Sequence, residues 1–330
     1  MNKPIANNAS SAVEVTEIFE TTAANPAFEF FDQDLVPLPS SHALKGKQIV
    51  IRLDGALLVF YSTNVRVRTR PSLQKNFAAF ATFGVDSRGT INGLPVRHDM
   101  VLAVPARQSI AVVAEPGYES ASILIDPTDL MNQLSTQGQR EAPPLLQRVE
   151  VLHAEPALAG NLFKWIRHMV MSAVENQELF ETSVEHRAAA KQDMLETLLS
   201  TLATSSRMTL ERRDRTRLIQ SDIVRAAEQY AMAHTSDRIY VKDLCQAAGV
   251  SERSLEYAFR AEMGLSPTAY LTRIRLHRVR ETLLQGSVAN TTVTNEALRW
   301  GFWHFGEFAK AYKECFQELP SDTLRRAQGV

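Results

Sequence analysis

The sequence predicts an α+β chain. A β-sandwich or small barrel fills the N-terminal half, helices follow it, and an all-α C-terminal domain is built from two similar units on one connecting helix. Three observations carry this reading. Strand-like runs cut by glycine and proline cover residues 45–125. Apolar residues at helical spacing cover 157–203. A pattern of glycine, apolar and proline positions occurs twice after residue 240.

Composition sets the outer limits. The 330 residues are 45% hydrophobic and 22% charged, enough for two domains with ordinary cores. No apolar run reaches the ~18 residues of a membrane span. Residues 1–24 read as a disordered lead-in without the apolar segment of a signal peptide. A cytoplasmic protein with no membrane partner is expected. The two cysteines, Cys245 and Cys315, suit a reducing compartment and make neither a disulfide scaffold nor a zinc site. The net charge of −1 is uneven. From Arg207 onward there are 19 Lys+Arg against 15 Asp+Glu, or +4, which leaves 17 against 22, or −5, for residues 1–206. That asymmetry points the C-terminal third toward a polyanion.

The β-rich part comes first. "IVIRLDG", "ALLVFYS", "VRVRTR" and "SASILID" are short runs, several with period-two alternation. Turn residues separate them, among them Gly84, Gly89, Gly93, Pro95, Pro105, Pro116 and Gly117. A sandwich or cupin-like barrel is expected. Helices follow at 157–180, with Leu162, Trp165, Ile166, Met169, Ala173 and Val174 at helical spacing, and at 184–203, with a stripe of Leu195, Leu198, Leu199 and Leu202. The stripe fits either a dimer seam or a core within the domain. Residues 25–203 are thus one unit. Residues 204–218 are polar and charge-dense and read as a linker. Everything from 219 to 327 reads as helix.

The repeat is the most specific signal. In "VKDLCQAAGVSERSLEYAFRAEMGLSP", residues 241–267, Gly249 is followed by Leu255 at +6, Phe259 at +10, Met263 at +14 and Pro267 at +18. In the second copy Gly301 is followed by Phe308 at +7, Tyr312 at +11, Phe316 at +15 and Pro320 at +19. The copies match after one extra residue in the second turn. Each reads as helix, left-handed glycine, helix, over about 241–264 and 293–317. In the second copy Phe305, Phe308, Ala309, Tyr312 and Phe316 form the inward face. This is the helix-turn-helix arrangement, whose second helix enters the major groove of DNA. Between the copies, Ser266-Pro267 opens a helix over 268–285, ~27 Å long at ~1.5 Å per residue. Successive major-groove faces lie ~34 Å apart, so this rod suits two reading helices about one DNA turn apart.

The stretches "DLCQAAGVSERSL", "SPTAYLTRIRLHRVRETLL" and "ALRWGFWHFGEFAKAYKECFQELPSDTLR" resemble the twin helix-turn-helix domain of AraC/XylS transcriptional regulators, over about a third of the chain. "WGFWHFGEFA" and "RIRLHRVRETLL" further resemble the subgroup containing the ethanolamine-operon regulator. The chain departs from the family pattern at Gly306, where the family usually has Ser, and at Gln317, where it usually has Gly. The resemblance implies an N-terminal half that senses a small-molecule effector and dimerises, a double-stranded DNA partner, contact with RNA polymerase, and activation more than repression.

On the reading helices the outward residues are Ser251, Arg253, Ser254, Glu256, Tyr257 and Arg260 in the first copy. In the second they are His304, Gly306, Glu307, Lys310 and Lys313. Arg and Lys suit guanine edges and phosphates, and Glu suits cytosine N4. The plain alternative is a solvated helix face, and for His304 a helix cap. Arg66, Arg68 and Arg70 alternate on one strand face. They suit an anionic effector or a charge-guarded edge strand. No metal, cofactor or catalytic residue is assigned. The β-rich part offers His42 and His98 with no His-x-His, and the chain has no P-loop and no Gly-x-Gly-x-x-Gly. Two other readings stand beside the regulator. One is a cupin-type small-molecule enzyme fused to a DNA-binding tail, and the other is an effector-independent architectural DNA binder.

Overall fold

The structure is a computed structural model that describes residues 11–18, 31–40, 42–73, 77–136, 147–234, 239–285 and 291–327. The α+β class holds. Among the described residues the N-terminal part forms two antiparallel sheets. The larger has the spatial order β1 (Val13–Ile18), β3 (Gly46–Leu53), β4 (Ala56–Thr63), β11 (Tyr118–Ile125), β6 (Ala78–Phe83), β9 (Met100–Val104), β12 (Glu150–His153) and β13 (Ser206–Arg207). The smaller has the order β2 (Phe31–Pro37), β5 (Val67–Leu73), β10 (Val112–Ala114), β7 (Gly89–Ile91) and β8 (Leu94–Pro95).

Strand alternation builds two cores from one sheet. Ile49, Ile51 and Leu58, Phe60 of the β3–β4 pair point to a first core with α2 (Pro156–Glu175) and α4 (Val184–Ala203). Val50, Leu57 and Val59 point the other way, toward Val67, Leu73 and Val112 of the smaller sheet. Both faces are covered, so these strands read as continuous apolar runs. Register in β3–β4 is set by the two-residue turn Asp54-Gly55, with Leu53 opposite Ala56 and Gly55 at φ +80°. A second tight turn, Asn92-Gly93, joins β7 to β8 with both residues at positive φ.

Two expectations change here, and the open choice for the leucine stripe is decided. Inside the supposedly disordered 1–24, residues 13–18 form β1, zipped to β3 along its length; the remaining residues of that stretch, apart from 11 and 12, lie outside the described ones. The polar stretch 204–218 is not a tether. It contributes β13 to the edge of β12 and then opens α5 (Arg212–Ala233), where the Asp214 side chain accepts from the Glu211 N–H at 3.2 Å. Its charge density belongs to an exposed helix face. The leucine stripe is core: Leu195, Leu198 and Leu199 are buried against α2 and the larger sheet, so they are no dimer seam. Short helices α1 (Pro127–Thr136) and α3 (Gln177–Thr182) complete this layer.

The helical part carries α6 (Val241–Ala248), α7 (Glu252–Met263), α8 (Pro267–Gln285), α9 (Val293–Arg299), α10 (Phe305–Phe316) and α11 (Pro320–Ala327). The two copies share turn geometry. Gly249 and Gly301 are left-handed at φ +66° and +76°. After each, the next residue's N–H bonds back five residues, Val250 to Cys245 O at 3.0 Å and Phe302 to Ala297 O at 2.8 Å. The extra residue shows in the caps: Ser251 lies two residues past its glycine and His304 three. Helix α8 serves two separate cores. Tyr270, Leu271 and Ile274 pack with α5, α6 and α7, while Leu276, Val279 and Leu283 pack with α9, α10 and α11.

The departure from the resembled pattern at Gln317 has a structural cost. Gln317 ends α10 at φ +60°, ψ +14°, its N–H bonded to Lys313 O at 2.8 Å. A left-handed residue with a Cβ costs ~1–2 kcal/mol, part of which glycine loses again through its freer unfolded chain. Gln317→Gly should therefore stabilise the protein by about 0.5–1 kcal/mol in thermal or urea unfolding, and Gln317→Val should destabilise it. A glycine variant no more stable than the parent would mean the cap is unstrained.

Candidate nucleic-acid interface

Helix α7 divides cleanly by face. Leu255, Ala258, Phe259 and Met263 are buried at 0–1% exposure, while Arg253, Ser254, Tyr257 and Arg260 lie open to solvent and Glu256 is half-buried. Ser251 is spent locally. Its hydroxyl accepts from the Ser254 N–H at 3.3 Å and meets the Ser254 hydroxyl at 3.0 Å, which caps the helix. Arg260 holds Glu256 at 2.9 Å. That pair must open, or dock together, before either side chain meets a nucleic acid.

Helix α10 has the same division. Phe308 and Tyr312 are buried, and His304, Gly306, Glu307, Lys310 and Lys313 are exposed. His304 occupies the N-cap position but makes no side-chain cap, which removes the capping role expected as its alternative. Nothing lies within 4 Å of where a Gly306 Cβ would sit, so the missing serine side chain leaves open space on this face. Phe305 is a correction: expected to point inward, it is 44% exposed, and Trp303 beside it is 59% exposed. The extra turn residue rotates the start of α10 so that both aromatics face out. The unmatched +7 spacing after Gly301 was the signal that could have found them. Such rings suit a thymine methyl or a sugar edge.

The three arginines expected at an anionic effector do something else. On β5, Thr69, Pro71 and Leu73 face the space between the sheets, while Arg68 and Arg70, with Arg66 just before the strand, face the helices. Arg68 is 1% exposed. Its Nη2 meets Glu228 of α5 at 2.8 Å and its Nη1 meets Glu262 of α7 at 2.7 Å. Tyr270 of α8 donates to Glu228 at 2.5 Å, Ser221 donates to Glu262 at 3.2 Å, and Arg70 lies 3.6 Å from Glu228. Arg66 donates to the Met263 and Glu262 carbonyls at 3.0 and 2.9 Å, capping the C-terminal end of α7, and pairs with Glu115 at 2.8 Å. Arg273 of α8 donates to the Pro37 carbonyl. A Cβ on Gly93 would run into the Arg217 carbonyl, so the β7–β8 turn also sits tight on α5.

Burial opposes charge throughout this knot, and the partners decide the outcome. Burial pushes the Glu228 carboxyl up, but Arg68 and Arg70 together hold it below the usual range. Glu262 goes the other way. Burial raises it more than Arg68 can offset, with Glu228 adding repulsion, and its Oε2 has no hydrogen-bond partner.

Comparison with known proteins matches this part of the chain. Residues 244–326 match a family model described as a helix-turn-helix domain. The chain is 41% identical over 103 residues to a probable thc operon regulatory protein of Rhodococcus erythropolis. It is 35% identical over 100 residues to a XylDLEGF operon transcriptional activator of Pseudomonas putida. These alignments cover 31% and 30% of this chain and 31% of each relative, so the match spans about a third of the length of these curated relatives. Among solved structures, a probable AraC family transcriptional regulator from Rhodopseudomonas palustris is 38% identical over 32% of this chain and 98% of that one, with a TM-score of 0.31. None of these is described as an ethanolamine-operon regulator, and the finer resemblance to that subgroup gains no support from them.

The knot makes two predictions. Arg68→Ala strands a buried carboxylate and should cost ~3–5 kcal/mol of unfolding free energy. The double variant Arg68→Met, Glu228→Gln removes both charges and should recover part of that loss. For Glu262, the folded carboxyl titrates above its unfolded value, so its favourable contribution is present below the ordinary glutamate range and is lost as pH rises through the raised value. Glu262→Gln should match the parent in mild acid and exceed it in melting temperature near neutrality. Parallel melting curves for the two proteins across that window would refute the assignment.

Proposed function

We propose that the chain is a sequence-specific DNA-binding transcription regulator that responds to a small-molecule effector. One observation carries the reading. Two helices, α7 and α10, spend their inner faces on separate cores along one rod, and their outer faces expose Arg253, Tyr257, Arg260, His304, Lys310 and Lys313. Twin helix-turn-helix units are the arrangement that uses such faces, and the match over 244–326 spans both. Activation rather than repression is supported by the XylDLEGF activators among the relatives. RNA polymerase is then the protein partner. A homodimer in the cytoplasm completes the reading, with the outer side of α2–α4, where Met171, Leu179 and Val184 are exposed, as its contact. The enzyme alternative is not favoured, because the relatives matched are operon regulators.

Effector and DNA are linked through β5. One face of this strand lines the interior of the β-rich part, and the other grips α5 and the end of α7. A ligand that shifts β5 changes how firmly the first reading helix is held. That differential contact is what an allosteric response requires.

The test is an operator recovered by selection from random duplexes and footprinted at fixed salt. Each subunit should protect two elements ~10 bp apart, centre to centre, and insertion of half a turn between them should reduce affinity to that of one element. Arg253→Ala should cost ~1–3 kcal/mol and relax specificity in one element. Lys313→Ala should weaken all sequences alike and lower the salt slope. Full affinity after the half-turn insertion would overturn the two-headed reading.

A further inference from the structure

The space between the sheets is a cavity of about 120 Å³. Its floor is graded by register. Gln48, Tyr61, Ser120 and Phe83 lie in one row across β3, β4, β11 and β6, and the rows beyond carry Val59, Ser122, Ala81, Leu124 and Val104. The roof is Thr69, Val112 and Ile91 in register across β5, β10 and β7. The cavity is therefore polar along the Gln48 row and mostly apolar beyond it, with Ser122 the exception, and no charged side chain is among the described residues lining it.

Polar groups on both walls are unfinished. Gln48 Oε1 and Thr69 Oγ1 are buried without a hydrogen-bond partner, on residues 2% and 4% exposed. The Thr63 hydroxyl, which donates to the Val65 carbonyl at 3.1 Å, stands beside Tyr61 and can still accept from its phenol. Buried polar atoms are rarely left unpaired, and two on facing sheets around one void point to an occupant. Water alone fits poorly. A single water needs about 10–15 Å³ of such space, and this void is roughly an order of magnitude larger with apolar walls over most of it. A cavity of ~150 Å³ with apolar walls holds one benzene ring, which sets the size class. Burial also pushes the Tyr61 phenol up, so it remains a neutral donor and acceptor.

We infer that this cavity binds the effector, and that the effector is a small neutral molecule of about one ring with a hydroxyl head. The head sits on Gln48, Tyr61 and Thr69, and the apolar body lies on Val59, Ala81 and Val112. The assignment rests on the regulator reading above and narrows it. A carboxylate would enter a low-dielectric space with no cation to pair it, while the arginines that could do so face the helices on the far side of β5.

The probes are phenol, toluene and benzoate, tested on the full-length protein at neutral pH by calorimetry and thermal shift. Phenol should bind and raise the melting temperature saturably, toluene more weakly, and benzoate not measurably. Tyr61→Phe, Gln48→Leu and Thr69→Val should each weaken phenol several-fold and leave toluene unchanged or tighter. Ala81→Leu, which fills the apolar body, should remove both. Benzoate binding tighter than phenol, or phenol binding indifferent to all three head-group variants, would overturn the assignment, as would the absence of binding by phenol and toluene alike. Operator binding by the ligand-free parent protein is scored separately. If it persists while the probes fail, the ligand class is wrong and the regulator reading stands; if it is absent, the regulator reading itself fails.

Discussion

A single buried guanidinium holds the two halves of this chain in one arrangement. Arg68 reaches from a β-strand to carboxylates on two different helices, Glu228 on α5 and Glu262 on α7. None of the three is stable alone in that environment, because a buried charge without its partner costs several kcal/mol. The β-rich part and the first helical unit are thus each incomplete without the other. Arg66 and Arg273 extend the same contact with bonds to backbone carbonyls at α7 and β2.

The alternation of β5 gives that contact its meaning. Successive residues point to opposite sides of a strand, so a strand one layer thick separates an uncharged interior from a highly charged seam. Thr69 and Pro71 belong to the interior, and Arg68 and Arg70 belong to the seam. A displacement of the strand moves both sets together. The carboxyls in the seam also differ in kind. Glu228 is satisfied by two arginines and a tyrosine, whereas Glu262 keeps an oxygen without a partner. The weaker side of the knot is the side that touches α7.

What the sequence disclosed, it disclosed through local periodicity. The left-handed turns at Gly249 and Gly301 and the inward positions Leu255, Phe259, Phe308 and Tyr312 follow from spacing within one or two helical turns. The shared face of Arg66, Arg68 and Arg70 was equally plain. What covers that face was not, because Glu228 and Glu262 lie 160 and 194 residues further along, beyond any pattern in the local sequence. The same limit applied to Leu195, Leu198 and Leu199, whose stripe was legible and whose packing partner was not. Residues 204–218 failed for another reason: a polar, charge-dense stretch looks alike whether it is a tether or the outer face of a helix such as α5. Phe305 was misplaced because the pattern of the first copy was carried across the inserted turn residue without its rotation.

The rod α8 divides its buried apolar side chains between two cores: Tyr270, Leu271 and Ile274 serve one, Leu276, Val279 and Leu283 the other. Each head can therefore accumulate substitutions under its own packing constraints. Such a division lets lineages retune one head by drift and selection while the other continues to anchor the molecule. It also confines mutational damage, since a packing defect near Phe308 leaves the interior around Phe259 intact. Evolvability in this chain is a matter of which face of a nineteen-residue helix a side chain happens to occupy.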